Sequence, residues 1–261
     1  MDDDYGGVPG SALHFAIRDG RAAVAARLIE KGLNVNTADC NDCTPLHVAE
    51  SAECATLLLE LGADIEALDD NDNTPLIKAA SWDMADVMGV LIAGGAELDS
   101  KNSHGVTALY EACDCERFSI AMLLLKAGAA ADCGAHTTNG RRALHALLQP
   151  HFSFDGGVRV QGQTMCNYEE QLKLLDKLLM RGADVDNLCV YGTPIMQTDD
   201  RVFIRRLVCA GANPWLGNWQ EEMSPAWKAI VGEEFERARS LPVLQGREMG
   251  TARWPRAAGS S

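Results

Sequence analysis

Asp70-Asn71-Asp72-Asn73-Thr74-Pro75-Leu76-Ile77-Lys78-Ala79-Ala80, followed by an apolar run from Val87 to Ile92 and then by Gly94-Gly95-Ala96, is the stretch that decides how this chain folds. Thr74 predicts a helix N-cap, because its hydroxyl can accept from an early backbone N–H, and Pro75 sits at the first helical position, where no donor is lost. Ala79 and Ala80 keep one face thin enough for a neighbouring helix to approach closely. Val87, Val90 and Leu91 recur at the spacing of a second amphipathic helix, and Gly95 supplies the left-handed residue that ends it. The stretch from Asp69 to Asp99 is therefore turn, helix, turn, helix. Neither helix can bury its apolar face within so short a piece, so the unit requires copies of itself.

The copies are present. The Thr-Pro-Leu-His slot recurs as Ser11-Ala12-Leu13-His14, Thr44-Pro45-Leu46-His47, Thr74-Pro75-Leu76-Ile77, Thr107-Ala108-Leu109-Tyr110, Arg142-Ala143-Leu144-His145 and Thr193-Pro194-Ile195-Met196, at spacings of 33, 30, 33, 35 and 51 residues. The helix-ending glycine keeps step at Gly32, Gly62, Gly95, Gly128, Gly182 and Gly211. Chance self-similarity rarely preserves both a start and a stop signal. Over about residues 8 to 216 the chain resembles the ankyrin repeat family. The resemblance implies an all-α repeat solenoid of about six helix-turn-helix repeats with short β-hairpin fingers along one edge.

Composition agrees with such an array. A chain of 261 residues, 47% of them apolar, can bury a large core. Its formal net charge of −14 argues against non-specific nucleic-acid binding and against attraction to an anionic membrane, and makes a basic or amphipathic protein segment the natural complement. Met1-Asp2-Asp3-Asp4 reads as an acidic arm over 1–7 and not as a basic, apolar leader, and no apolar run reaches membrane-spanning length. The expectation is a monomer of the cytoplasm, with the nucleus left open.

Within the repeat domain, expected over 8–244, the units are unequal. The second and sixth are three residues short between the Thr slot and the glycine; in the second the deletion is placed in the helix-to-helix turn, at Glu50-Ser51-Ala52-Glu53. The fifth carries 19 extra residues between its helices. At their centre, about 150–166, Phe152-Ser153-Phe154 and Val158-Arg159-Val160 flank Gly156-Gly157 and read as a hairpin, docked, mobile or partner-binding. A degenerate seventh unit starts at Ser224-Pro225-Ala226-Trp227, with a last helix from about Glu233 to Ser240. It reads as a cap sealed by Trp215, Trp219 and Trp227. Residues 245–261 read as a disordered tail carrying Arg247, Arg253 and Arg256.

No constellation carries chemistry. Nucleophile-elbow, phosphate-loop and zincin motifs are absent, and the expectation is a protein that is not an enzyme and needs no cofactor. The nine cysteines are odd in number; Cys40 and Cys43 lie in one finger, and Cys113 and Cys115 two repeats away, so no matched pair of pairs closes a zinc site. Asp69 to Asn73 looks faintly like a calcium loop but lacks the sixth-position glycine and the twelfth-position acid, and reads as an exposed acidic finger. His14, His47 and His145 occupy the slot that, by the resemblance, hydrogen-bonds adjacent turns.

What the resemblance implies is a non-catalytic protein-interaction module, a scaffold or adaptor. The alternative is a structural subunit or regulator within a larger assembly. By the same resemblance the partner face is concave, built from finger residues and the end of each first helix. On this chain those positions fall at Asp39 and Asn41, at Asp70, Asn71, Asp72 and Asn73 with Lys78, Ser81 and Trp82, and at Ser103, His104 and Val106 with Glu111, Asp114 and Cys115. Trp82 has no structural duty in the repeat and is the expected anchor, with burial against neighbouring helices as the alternative. Lys78 and Glu111 occupy equivalent positions in adjacent repeats and are expected to pair.

Overall fold

A computed structural model describes residues 12–132, 140–148, 165–190, 192–214, 216 and 223–239, at 165–167 and 239 for the backbone only. The acidic arm, the hairpin expected in the fifth repeat, Trp215, Trp219 and the basic tail lie outside the described residues. The chain divides into two compact units, 1–184 and 185–261, each considered by itself.

The first unit alternates short helices: α1 (Ala12–Arg18), α2 (Ala22–Glu30), α3 (Ala52–Glu60), α4 (Pro75–Ser81), α5 (Ala85–Ala93), α6 (Ala108–Asp114), α7 (Phe118–Ala127), α8 (Ala143–Leu148) and α9 (Met165–Met180), with a 3₁₀ turn at Pro45–Val48. The start signals act as their chemistry dictates. Thr74 Oγ accepts from the Ile77 N–H at 3.4 Å and Thr107 Oγ from that of Tyr110 at 3.3 Å. Gly95 ends α5 at φ +90°, and the next residue, Ala96, donates its N–H back to Leu91 C=O.

Two layers result. First helices α1, α4, α6 and α8, with the 3₁₀ turn between α1 and α4, pack side by side; second helices α2, α3, α5, α7 and α9 form the other layer. The core repeats with the sequence: Leu13, Leu46, Leu76, Leu109 and Leu144 are buried at one slot, and Leu58, Leu91, Leu124 and Leu178 at another. Ala80, Ala112 and Ala146 are also buried, which lets the helices of this layer approach closely.

The histidines knit the repeats. His14 Nε2 bonds Cys43 C=O at 2.8 Å. His47 Nδ1 accepts the Thr44 N–H at 3.1 Å, so its Nε2 carries the proton it donates to Asn73 C=O at 2.9 Å.

The deletion in the second repeat is not taken from the helix-to-helix turn, as the sequence suggests. It falls on the first helix, which shrinks to the 3₁₀ turn Pro45–Val48; Ala49 then turns extended, and Ser51 becomes the N-cap of α3, accepting from the Cys54 N–H at 3.2 Å. A second helix cannot lose a turn without losing contacts to both neighbours in its layer, whereas a first helix one turn long still buries Pro45, Leu46 and His47.

The second unit obeys the same rule. Its short repeat also opens with a 3₁₀ turn, Pro194–Gln197, before α10 (Arg201–Cys209), which Asp200 caps through the N–H groups of Val202 and Phe203. Met196 stands where the second repeat has His47. Without an imidazole to bond it, Thr193 Oγ is fully buried and has no partner among the described residues. The expected last helix starting near Glu233 is instead the second half of α11 (Pro225–Arg239), continuous from the Ser-Pro start. α11 packs on α10, with Glu234 buried and receiving both Arg205 Nε at 2.7 Å and Nη2 at 3.2 Å. Trp227 is buried, as a sealing residue should be, and its indole N–H donates to Thr198 C=O at 3.1 Å. No helix among the described residues is long and apolar enough to cross a membrane.

Candidate partner-binding face

The loops that precede the Thr slot form three consecutive fingers of one design. An Asp or Asn five residues before the threonine holds each turn with its own side chain. Asp39 Oδ1 accepts from the N–H groups of Asn41 and Cys43 at 2.9 and 3.0 Å, Asp69 Oδ1 from those of Asn71 and Asn73 at 2.9 and 2.8 Å, and Asn102 Oδ1 from those of His104 and Val106 at 3.0 and 2.9 Å. The tip residue three places on is left-handed: Asp42 (φ +56°), Asp72 (+59°) and Gly105 (+73°). Each finger is tied to the next, Asp70 N–H donating to Asn41 C=O at 2.9 Å and Ser103 N–H to Asn71 C=O at 3.0 Å.

Each finger is an Asx turn that one backbone bond also closes, Asp39 N–H donating to Cys43 C=O at 2.9 Å, Asp69 N–H to Asn73 C=O at 3.1 Å and Asn102 N–H to Val106 C=O at 3.1 Å. Among the described residues a bridge is found between Cys189 and Gly192, in the sixth repeat, and no named strand is present.

Behind the second finger lies a charged anchor that sequence reasoning missed. Asp69 is buried, its carboxylate accepting from Asn73 and, at 2.9 Å, from the Lys78 ammonium. Burial alone would raise its pKa; hydrogen bonds from the Asn73 side chain, Lys78 and the Asn73 and Asn71 backbone outweigh it and hold the value at about 2. Read as one of a run of five polar residues, Asp69 looked exposed. The recurrence of Asp39, Asp69 and Asn102 at one place before the threonine is the signal that could have found it.

The remaining expected positions divide by what they touch. Asp70, Asp72, Asn41 and His104 are exposed on the fingers, although the Asn41 carbonyl is engaged. Asp39 is a turn anchor, and Val106, expected to face outward, is buried because it closes the third finger against the core. Lys78 does not pair with Glu111 as expected, since the buried Asp69 lies closer and is the stronger partner. Its ammonium also lies 5.8 Å from the centre of the Trp82 ring. Trp82 caps the end of α4 and is 48% exposed. Glu111 is half-buried on α6 and its pKa is raised by that burial and then by Asp114. Asp114 meets Arg141 at 3.8 Å, and Arg141 lies over the Tyr110 ring.

One row thus crosses the first-helix layer at the fourth residue after the start slot: Phe15, Val48, Lys78 and Glu111. Phe15, 49% exposed with Arg18 stacked over it at 5.3 Å, went unnoticed in the sequence because the first repeat looked like a plain polar cap.

Among the described residues no catalytic arrangement emerges. Among the described residues no three His, Cys, Asp or Glu side chains stand close enough to hold a metal ion. Three of the thiols are poor nucleophiles: burial pushes Cys43 and Cys115 up to about 11, helped by Asp39 and Glu111 respectively, and pushes Cys113 higher still.

The family model described as ankyrin repeats (3 copies) matches residues 3–69 and 50–137. The fold is similar to that of the human ASB11 ankyrin repeat domain, with 25% sequence identity, a TM-score of 0.64, and coverage of 89% of this chain and all of that one. It is also similar to an ankyrin repeat domain from Acinetobacter baumannii, at 24% identity and a TM-score of 0.62, covering 77% of this chain and 98% of the other. No curated protein sequence matches the chain closely enough to count as a relative.

Proposed function

Because the chain belongs to the ankyrin repeat family, whose repeats are generally protein-interaction modules, we propose that it is a non-catalytic scaffold or adaptor. Its partner lies across the fingers and first helices of the first unit. The observation that carries this reading is Trp82: a large aromatic held in place by Lys78 yet 48% exposed at the end of a groove helix, where the core gains little from it. Buried aromatics dominate interface energies, and an exposed tryptophan with a fixed neighbour is prepared to become one.

The fingertips set the sign of the partner. Asp42, Asp70 and Asp72 are exposed there, on a protein of net charge −14, which favours a basic or amphipathic segment by steering and by discrimination. Affinity capture with the full chain, run in parallel with Trp82→Ala and with an Asp70→Lys/Asp72→Lys double variant, tests the proposal. One partner held by the native chain should be lost from both variants, Trp82→Ala costing at least about 2 kcal/mol of binding with melting unchanged. A partner retained equally by both would place the interface elsewhere.

A further inference from the structure

Trp82, at the end of α4, and Glu111, on the first turn of α6, both lie near Lys78. The Lys78 ammonium lies over the Trp82 ring, and its charge is felt at Glu111. Lys78 nevertheless cannot satisfy Glu111, because the buried Asp69 holds it at 2.9 Å. Glu111 is left with a thiol contact, Cys115 Sγ at 3.8 Å from Oε1, and with Asp114 as a like charge three residues on. A thiol is a weak donor, so no cation answers this half-buried carboxylate among the described residues. Two other cations of the first unit are already engaged: Arg18 covers Phe15, and Arg141 lies over Tyr110 and faces Asp114.

We propose that Trp82 and Glu111 together form a subsite for one Lys or Arg side chain of the protein partner, its aliphatic stem along the indole and its charge at the carboxylate. The inference rests on the reading of this face as the partner surface, and it commits that surface to a basic residue at one place. Helices packed side by side as α4 and α6 are lie about 8–10 Å apart, a gap that a Lys or Arg stem can bridge. The indole face attracts a cation, and a carboxylate already partly out of water gains more from a charge-assisted hydrogen bond than a solvated one does. An acidic side chain would meet Glu111, Asp114 and a lysine already paired with Asp69; an apolar one would bury Glu111 without a partner.

The test selects short random peptides displayed on phage against the full chain, then measures the binding of synthetic copies to native protein, Trp82→Ala, Glu111→Gln and Glu111→Lys. Selected peptides should share a Lys or Arg, and its replacement by Ala should weaken binding about tenfold or more, as should Trp82→Ala and Glu111→Gln. Glu111→Lys should prefer the same peptide with Glu at that place. Melting of Glu111→Gln should be no lower than native, since the change relieves a desolvated charge, and this separates lost binding from lost fold. Peptides that bind without a basic residue, or equally well to Trp82→Ala and Glu111→Gln, overturn the subsite; if Asp70→Lys/Asp72→Lys still weakens them, the partner face itself stands. A selection that yields no binder overturns both.

Discussion

Replacing Asp69 by Asn isolates the charge that anchors the second finger. The amide keeps the oxygen that accepts from the Asn71 and Asn73 N–H groups, and Asn102 shows in the next finger that an Asn builds the same turn. What is lost is the charge facing Lys78, in a carboxylate with no exposed side-chain area. A shift from 3.8 to about 2 is equivalent to about 2 kcal/mol of stability at neutral pH. The folded-state pKa is the lower one, so this contribution is complete above the unfolded value and is lost as the pH falls through about 4 toward about 2.

Urea unfolding of native protein and Asp69→Asn, followed by circular dichroism, should therefore show a gap of about 2 kcal/mol near pH 6 that narrows by about 1 kcal/mol near pH 3. Any cost from the new amide hydrogens meeting Lys78 or Asn73 is independent of pH and leaves the narrowing intact. In a Lys78→Met background the gap should be smaller at both pH values. A gap that is constant with pH, or unchanged by Lys78→Met, would refute the role assigned to the pair.

Other outcomes follow from single residues. His47 is buried as the neutral donor to Asn73 C=O; burial lowers its pKa against the opposing backbone bond, so its proton NMR titration should have a midpoint below 6.5, and stability should fall as the pH drops from that value toward the midpoint. A midpoint at or above 6.5 would contradict the assigned tautomer. Leu109→Ala, at a fully packed slot, should cost about 2–5 kcal/mol and loosen the flanking repeats first, visible as earlier hydrogen exchange in α4 and α8; unchanged melting would mean that the repeat register is wrong. Asp72→Gly relieves a left-handed tip residue and should stabilise by up to about 1 kcal/mol, as read from the urea midpoint. Thr193→Val removes the buried hydroxyl without a partner and should leave the thermal midpoint unchanged or higher, whereas Thr44→Val, which removes a hydroxyl bonded to His47, should lower it.

Start signals, stop signals and their period were legible in the sequence because each acts through its own backbone neighbourhood. Thr74 caps whatever helix follows it, Pro75 tolerates only a first turn, and Gly95 can turn left-handed wherever it stands, so six copies in step specify the array before any contact is known. Two results depended on length and needed the packed layers. The three-residue deletions came out of the first helices, at Pro45–Val48 and Pro194–Gln197, because the second-helix layer could not give up a turn. The last helix ran from Pro225 to Arg239 without a break because Glu234 and Trp227 both found partners on the preceding elements.

The candidate face divides the same way. That Trp82, Glu111 and the finger acids fall at comparable places in successive repeats is periodicity, and the sequence carries it. Which acid is buried and which displayed, and whether Lys78 turns to Asp69 or to Glu111, is decided by distances of a few ångströms between residues nine and thirty-three positions apart. Electrostatic energies change steeply over those distances and with burial, and neither quantity exists until the repeats are stacked.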